Sequence, residues 1–328
     1  MNLIPVFRSL KIPQILEGES FESEILTGYP NFRIGVNAQG LPALLLNIGE
    51  GLGKPLGRNL KLKHLLVQHN LRCKIIERGN SKYESLTAIK FISTEPTLQD
   101  IFLRMAGNLI LSLGELASSA DLIHQINKFA ELFRAMSDTP KKTVQGLWGE
   151  LLLIERASNT RNLIDYWHND PQEKFDFNAF SEKVEVKTST DFSRNHFFSA
   201  EQLEDKNHVM IVIASILLRQ TGSGLNVFEL AQLISLKVEN DLEIMEKVNL
   251  TIFHTLGSSL EYAMDIKYDY ALGCESMSFF NQKDISRINL NELPKEISNI
   301  KYQSDLSNVP CISRESIAKY DKLIKSCL

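Results

Sequence analysis

Ten residues, Val209–Leu218, run through apolar side chains interrupted only by Ser215. A stretch this short, rich in β-branched residues, is the pattern of a strand buried on both faces. Such a strand needs cover on each side, and helical spacing lies before and after it. A helix is predicted over Thr143–Ala157, a short one near Ser199, and two more over Val227–Leu236 and Asp241–Leu256. Strands are predicted at Leu163–Trp167, Glu173–Ala179, Lys183–Thr190, Tyr262–Ala271 and Ser276–Phe280. Helices and strands in this order describe an α/β arrangement around a mixed central sheet.

The first part of the chain has a different rhythm. Phe32, Ile34 and Val36 alternate with polar or small neighbours, which places them on one face of a strand. Strand-like runs follow at Leu41–Leu46, Leu71–Ile76 and Leu86–Ile92, separated by glycine-rich turns such as Gly49–Gly53. The pattern turns helical at Glu95-Pro96-Thr97, and a second helix is predicted from near Ala120 to Met136, with Leu122, Ile126, Phe129 and Phe133 on one face. A chain of 328 residues is too long for one ordinary core. The expected organisation is a β-rich N-terminal domain (1–95), a helical connector (96–140) and an α/β domain (141–328).

Composition excludes several classes. With 43% hydrophobic and 23% charged residues the chain is that of a globular protein, and no apolar run is long enough to cross a bilayer. The start, MNLIPVFRSLKIPQ, has no export-signal pattern, so the expected location is the cytoplasm. Cys73, Cys274, Cys311 and Cys327 lie far apart, which argues against a zinc site or a disulfide scaffold. A net charge of -4 does not announce a polyanionic partner. Locally, however, Lys54, Arg58, Lys61, Lys63, Arg72, Lys74 and Arg78 face Glu77 alone, and a patch can bind a polyanion whatever the total. A solvated face explains the same charges equally well. The glycines at 49, 51, 53 and 57 are not followed by Gly-Lys-Ser/Thr, so they form no phosphate loop.

Chemistry is concentrated between Lys174 and Thr188. Glu185 and Lys187 stand two apart on a predicted strand and share a face, while Val184 and Val186 point into the core. If the two strands here form a hairpin with an even-length turn, Asp176 joins that face. A turn at Ser181-Glu182 would set it opposite Lys187, with Asn178 opposite Glu185. Converging carboxylates repel unless a proton or cation intervenes. Magnesium takes oxygen ligands from one or two carboxylates, polarises a phosphodiester and acidifies water. Lys187 would orient that water and offset developing charge. On spacing alone, an ordinary hairpin with a cross-strand Asp–Lys pair is the commoner explanation.

Asp176, then Glu185-Val186-Lys187, on a hairpin between helices resembles the core of the PD-(D/E)XK nuclease superfamily. Three blocks resemble more closely a family of proposed PD-(D/E)XK members found beside DNA methyltransferases and ATPases in bacterial restriction-like defence loci. They are Gly146–Leu153, Phe175-Asp176-Phe177 with Glu185–Ser189, and His196–Leu203. Phe175 stands where the superfamily's name has proline. The resemblance implies a restriction-endonuclease-like fold for 141–328, and a Mg2+-dependent DNA endonuclease in which Mn2+ substitutes, leaving a 5′-phosphate. By the same resemblance Asp176 and Glu185 bind the metal, assisted by Glu150, Lys187 positions water and Gln202 organises the site.

Glu150 in an apolar helix is also explained by a buried salt bridge, and Ser199 with Gln202 by an S-x-x-Q capping box. His196 reads as a polar loop residue near the site. The implied partners are DNA, a methyltransferase or ATPase subunit, and a second copy of the chain. A catalytically silent DNA-binding subunit and an RNA-directed nuclease stay open as alternatives.

Overall fold

A computed structural model describes the chain except for residues 15–17, 48–57, 78, 114–118, 171–172, 205–208, 240, 290–293, 295, 318–319, 321 and 328. The glycines at 49–57, Lys54 and Arg78 therefore lie outside the described residues. The chain divides into two compact units, Met1–Ser137 and Asp138–Leu328.

The first unit opens with a short helix, α1 (Ile4–Ser9), followed by β1 (Ser20–Leu26), β2 (Tyr29–Asn37), β3 (Pro42–Leu46), β4 (Leu60–Lys61), β5 (Leu65–Glu77) and β6 (Asn80–Phe91). Among the described residues these strands form one sheet in the order β1-β2-β3-β6-β5-β4. β1 also pairs in parallel with β5, closing the ring of strands on itself. Phe32, Ile34 and Val36 are buried as expected, but Arg33 and Gly35 between them are buried as well, so burial along β2 does not alternate. α2 (Pro96–Leu113) and α3 (Ser119–Ala135) lie in the segment expected as a connector and form part of this unit. Phe102 of α2 stacks on Phe91, Phe133 of α3 lies tilted against Phe91, and Phe129 of α3 joins the cluster through Phe102 and Phe133.

The second unit begins with α4 (Val144–Arg156) and α5 (Thr160–Tyr166). The strands β7 (Phe177–Ala179), β8 (Glu182–Ser189), β9 (Asn195–Ser199), β10 (Met210–Leu217) and β11 (Gln220–Leu225) follow. Next come α6 (Val227–Lys237), α7 (Leu242–Leu256), α8 (Leu260–Asp265), α9 (Tyr270–Ser276), β12 (Ser278–Asn281), β13 (Lys301–Asp305), α10 (Arg314–Ile317) and α11 (Lys322–Ser326). Together with the β-rich first unit this makes a mixed α+β protein.

The central sheet runs β12-β10-β8-β7, with β8 and β10 parallel and the other pairs antiparallel. The apolar run is one of its two inner strands, β10, as its sequence demands. α4 covers one face of β8 at Gly149, where an added Cβ would lie 2.4 Å from Thr188 Cγ2 and 3.2 Å from Val186 Cγ1. The other face is covered by the β9–β13 ribbon, whose Phe198 joins Ile211, Ile213 and Phe280 in one apolar cluster.

Two expected strands are helices. Leu163–Trp167 lies in and just beyond α5, where Asn159 Oδ1 accepts the Asn162 N–H and Thr160, Leu163 and Ile164 turn inward at helical spacing. Tyr262–Ala271 is shared between α8 and α9, and Asp269 caps the latter through the Leu272 N–H. In both cases aromatic and aliphatic residues imitate a strand over a few positions, and a side-chain cap decides for the helix. β9, β11 and β13 have no expected counterpart: β11 and β13 are mostly polar, and β9, with Phe197 and Phe198, is only five residues long.

Candidate active site

The β7–β8 hairpin turns at Phe180-Ser181, one residue earlier than expected, with Phe177 opposite Val184 and Ala179 opposite Glu182. Phe180, at φ 56 and 90% exposed, takes the left-handed conformation that a two-residue turn requires. The turn length is even, but its position sets the continuation of the ladder so that Asp176 is level with Glu185. Asn178 faces Lys183, not Glu185, and the two side chains bond at 2.7 Å.

β7 begins only at Phe177, just after Asp176, leaving the edge of β8 open at Val186. The Val186 N–H donates to Asp176 Oδ2 at 2.8 Å, so the carboxylate continues the ladder where the backbone has turned away. That bond aims Oδ1 at the Lys142 ammonium, with which it pairs. Lys142 also pairs with Glu150 Oε1 at 2.8 Å. Glu150 Oε2 lies 2.9 Å from His168 Nε2 and accepts the Trp167 indole N–H at 2.7 Å. Trp167 and His168 reach this point because the chain leaving α5 is stitched to the hairpin: Trp167 bridges Phe177, and the His168 N–H donates to Asp176 O at 3.0 Å.

Glu185, Lys187 and Gln202 make a second group. Lys187 Nζ lies 2.7 Å from Glu185 Oε1 and 5.2 Å from the Phe198 ring centroid, on the face covered by the β9–β13 ribbon. Gln202 Nε2 donates to Glu185 Oε1 at 2.7 Å and to Lys174 O at 3.3 Å. Gln202 Oε1 accepts from Lys187 Nζ at 3.3 Å and from the Ser199 N–H at 3.1 Å. One side chain thus closes the capping box of the helical turn Ala200–Gln202 and holds both charged residues.

Charge in this region is unbalanced. Glu150, Asp176 and Glu185 are three buried carboxylates served by the ammonium groups of Lys142 and Lys187. Burial opposes ionisation of Glu150, but Lys142 and His168 hold its carboxyl down to about 2. Asp176 goes the other way, raised well above the usual range by burial and then by repulsion from Glu150 and Glu185. Lys142 is half-buried, yet its two carboxylate partners hold the ammonium firmly protonated.

Glu150, His168 and Asp176 each offer one ligand atom, all within 4.8 Å of one another, and all three residues are buried. A donor set of two carboxylates and one imidazole suits a divalent cation. Sequence reasoning missed Lys142 and His168. Lys142 directly precedes the Thr143 cap of α4, and His168 follows a segment read as a strand, so neither carries a motif. His196 is corrected as well: it is buried on β9, with Nε2 2.7 Å from Ser215 Oγ, and not a loop residue.

A family model described as "Putative PD-(D/E)XK family member, (DUF4420)" matches residues 9–307. The chain belongs to that family. The match takes in every candidate residue of the second unit and most of the first. No curated protein and no solved structure matches the chain. Membership in a PD-(D/E)XK family points to a nuclease, and nucleases of this kind typically use divalent metals, in keeping with the donor cluster. Among the described residues no helix is long and apolar enough to cross a membrane.

In the first unit, Arg58, Lys61, Lys63 and Arg72 are exposed and Lys74 is half-buried. Arg72 and Lys74 stand two apart on β5, and the Arg72 guanidinium lies 5.7 Å from the Tyr83 ring centroid. His69 Nδ1 is 3.1 Å from Thr87 Oγ1, and the metal-ligand cluster in the described residues does not include His64 or His69.

Proposed function

We propose that this protein is a metal-dependent DNA endonuclease with one catalytic centre, carried by a restriction-endonuclease-like second unit. The observation that carries the reading is Gln202 bonded to both Glu185 and Lys187, beside a hairpin whose register levels Asp176 with Glu185. Glu150, Asp176 and Glu185 would hold Mg2+ or Mn2+, with His168 as an added nitrogen donor. A bound ion supplies Lewis-acid polarisation of the scissile phosphate.

The chain's own residues do the rest. Lys187 presents N–H donors to the attacking water and to the phosphoryl oxygens as negative charge grows on them. Gln202 holds Lys187 and Glu185 in one orientation, so neither has to be ordered when substrate arrives. Exposed Arg58, Lys61, Lys63 and Arg72, with Lys74, support a DNA-contacting role for the β-rich first unit, since phosphate contacts come from such residues. The setting proposed is a restriction or anti-phage defence system, alongside a methyltransferase or ATPase subunit. One centre cuts one strand per engagement, so a double-strand break needs a second copy of the chain or a larger complex.

Supercoiled plasmid incubated with the full chain in Mg2+ or Mn2+ tests this, with a structured RNA assayed in parallel. Open circles from a monomer, or early linear product from a dimer, are expected, and RNA should survive. Glu185→Gln and Lys187→Ala should each lower the rate by about 100-fold or more with an unchanged melting curve. Variants that cut as fast as the parent would remove the assignment, and cleavage of RNA alone would replace the substrate.

A further inference from the structure

Lys142 leaves the backbone immediately before the Thr143 cap of α4, and its side chain is 21% exposed. Its ammonium is surrounded by the atoms that would ligate a metal: Glu150 Oε1 at 2.8 Å, His168 Nε2 at 3.2 Å and Asp176 Oδ1. These same residues form the only group among the described residues with ligand spacing. An ammonium in contact with all three residues occupies the place an ion shared by them would take. Two cations cannot occupy it together, because repulsion at contact distance in a buried site is severe.

We infer that Lys142 is a tethered cation that neutralises the Glu150–His168–Asp176 pocket until a divalent ion arrives, and that the ion enters by displacing it towards solvent. The inference rests on the metal-dependent reading above and adds a residue that sets metal affinity. Three features allow the exchange. The lysine stem is flexible and unbranched, in contrast to a rigid guanidinium fork. Its partial exposure leaves a way out. Asp176 remains anchored by the Val186 N–H and Glu150 by the Trp167 indole, so the donors stay in place when the ammonium leaves. Buried carboxylates without a counter-charge are costly, so the lysine also protects the metal-free fold. Each ion must break these pairs, and its binding is weakened accordingly.

Two measurements on the full chain with Mn2+ as the probe decide the matter. In the wild-type protein, acetylation by an N-hydroxysuccinimide ester, read by mass spectrometry, should modify Lys142 several-fold faster when Mn2+ is saturating. In Lys142→Met, which keeps the stem and removes the charge, calorimetry should show Mn2+ binding at least about 10-fold tighter, with a lower melting temperature that Mn2+ restores. If the variant does not fold, the wild-type labelling alone decides. Mn2+ binding with Lys142 labelling unchanged or reduced would overturn the inference and leave the metal-dependent reading standing, as would Mn2+ binding no tighter in a folded Lys142→Met. Wild-type protein that binds no Mn2+ would overturn both.

Discussion

The Val186 amide donates to Asp176 Oδ2 at 2.8 Å, joining a backbone position of β8 to a carboxylate ten residues earlier. This bond puts Asp176 at the edge of the sheet, between two groups of polar and charged side chains. On the α4 side stand Lys142, Glu150 and His168, and on the ribbon side stand Glu185, Lys187 and Gln202. The short β7 makes the arrangement available, since a longer strand would pair Val186 with a backbone carbonyl and release the carboxylate.

The approach of α4 to β8 depends on Gly149. A methyl group there would meet Thr188 Cγ2 at 2.4 Å, and a β-branched strand residue has little freedom to retreat. Gly149→Ala gains about 1 kcal/mol of helix propensity but should be destabilised overall, because overpacking costs about 1–3 kcal/mol. Thr188→Ser removes the obstructing methyl group and keeps the oxygen that accepts from Gln145 Nε2 at 3.1 Å. The double variant should therefore regain most of the loss in urea unfolding. Additive losses would show that the contact does not limit the approach.

His168 brings a nitrogen donor to an otherwise carboxylate site. Mg2+ favours oxygen, whereas Mn2+ accepts imidazole more readily. His168→Gln should weaken Mn2+ binding by about 10-fold or more and leave Mg2+ binding nearly unchanged. Calorimetric titrations with each ion would show it, and an equal effect on both ions would remove His168 from the ligand set.

His196 gives stability a pH dependence of defined sign. Burial, followed by Lys187 and Arg194, holds the folded imidazole down to about 4, while an unfolded histidine takes its proton near about 6.5. Between these values the unfolded chain binds more protons, so stability rises with pH there and is lost as pH falls through the same window. The full effect is at most about 3 kcal/mol. His196→Gln can keep a bond to Ser215 Oγ and should flatten the urea midpoint between about pH 6.5 and pH 4.5 relative to wild type. Parallel slopes in the two proteins would assign the acid sensitivity elsewhere.

The basic residues of the first unit predict a salt effect. Replacing Lys61, Lys63 and Lys74 together by Gln should weaken DNA binding and reduce the slope of log K against log salt by about 1–3. Fluorescence anisotropy over a salt series measures both quantities. Unchanged affinity and slope would leave these side chains as solvated surface.

Much of this protein was legible from local pattern. The apolar run Val209–Leu218 announced an inner strand of the sheet, and Leu122, Ile126, Phe129 and Phe133 announced the buried face of a helix. Glu185 and Lys187 share a face because side chains alternate along any strand, and the Ser199–Gln202 capping box is visible because its partners are three residues apart. Each of these depends on chain geometry over a few residues, which sequence spacing encodes. Where the spacing was too short to discriminate, as in Leu163–Trp167, a single cap at Asn159 outweighed the apolar pattern.

Tertiary structure alone decided the rest. The hairpin turn fell at Phe180-Ser181, which levelled Asp176 with Glu185, and one residue of register cannot be read from a sequence that permits either turn. Lys142, Glu150, His168 and Asp176 come from a pre-helical residue, a helix, the exit of a second helix and the end of a strand. Nothing in their spacing links them. They meet because α4 presses onto β8 at Gly149 and because the segment after α5 is stitched to the hairpin, and the two carboxylates are buried against the Lys142 ammonium.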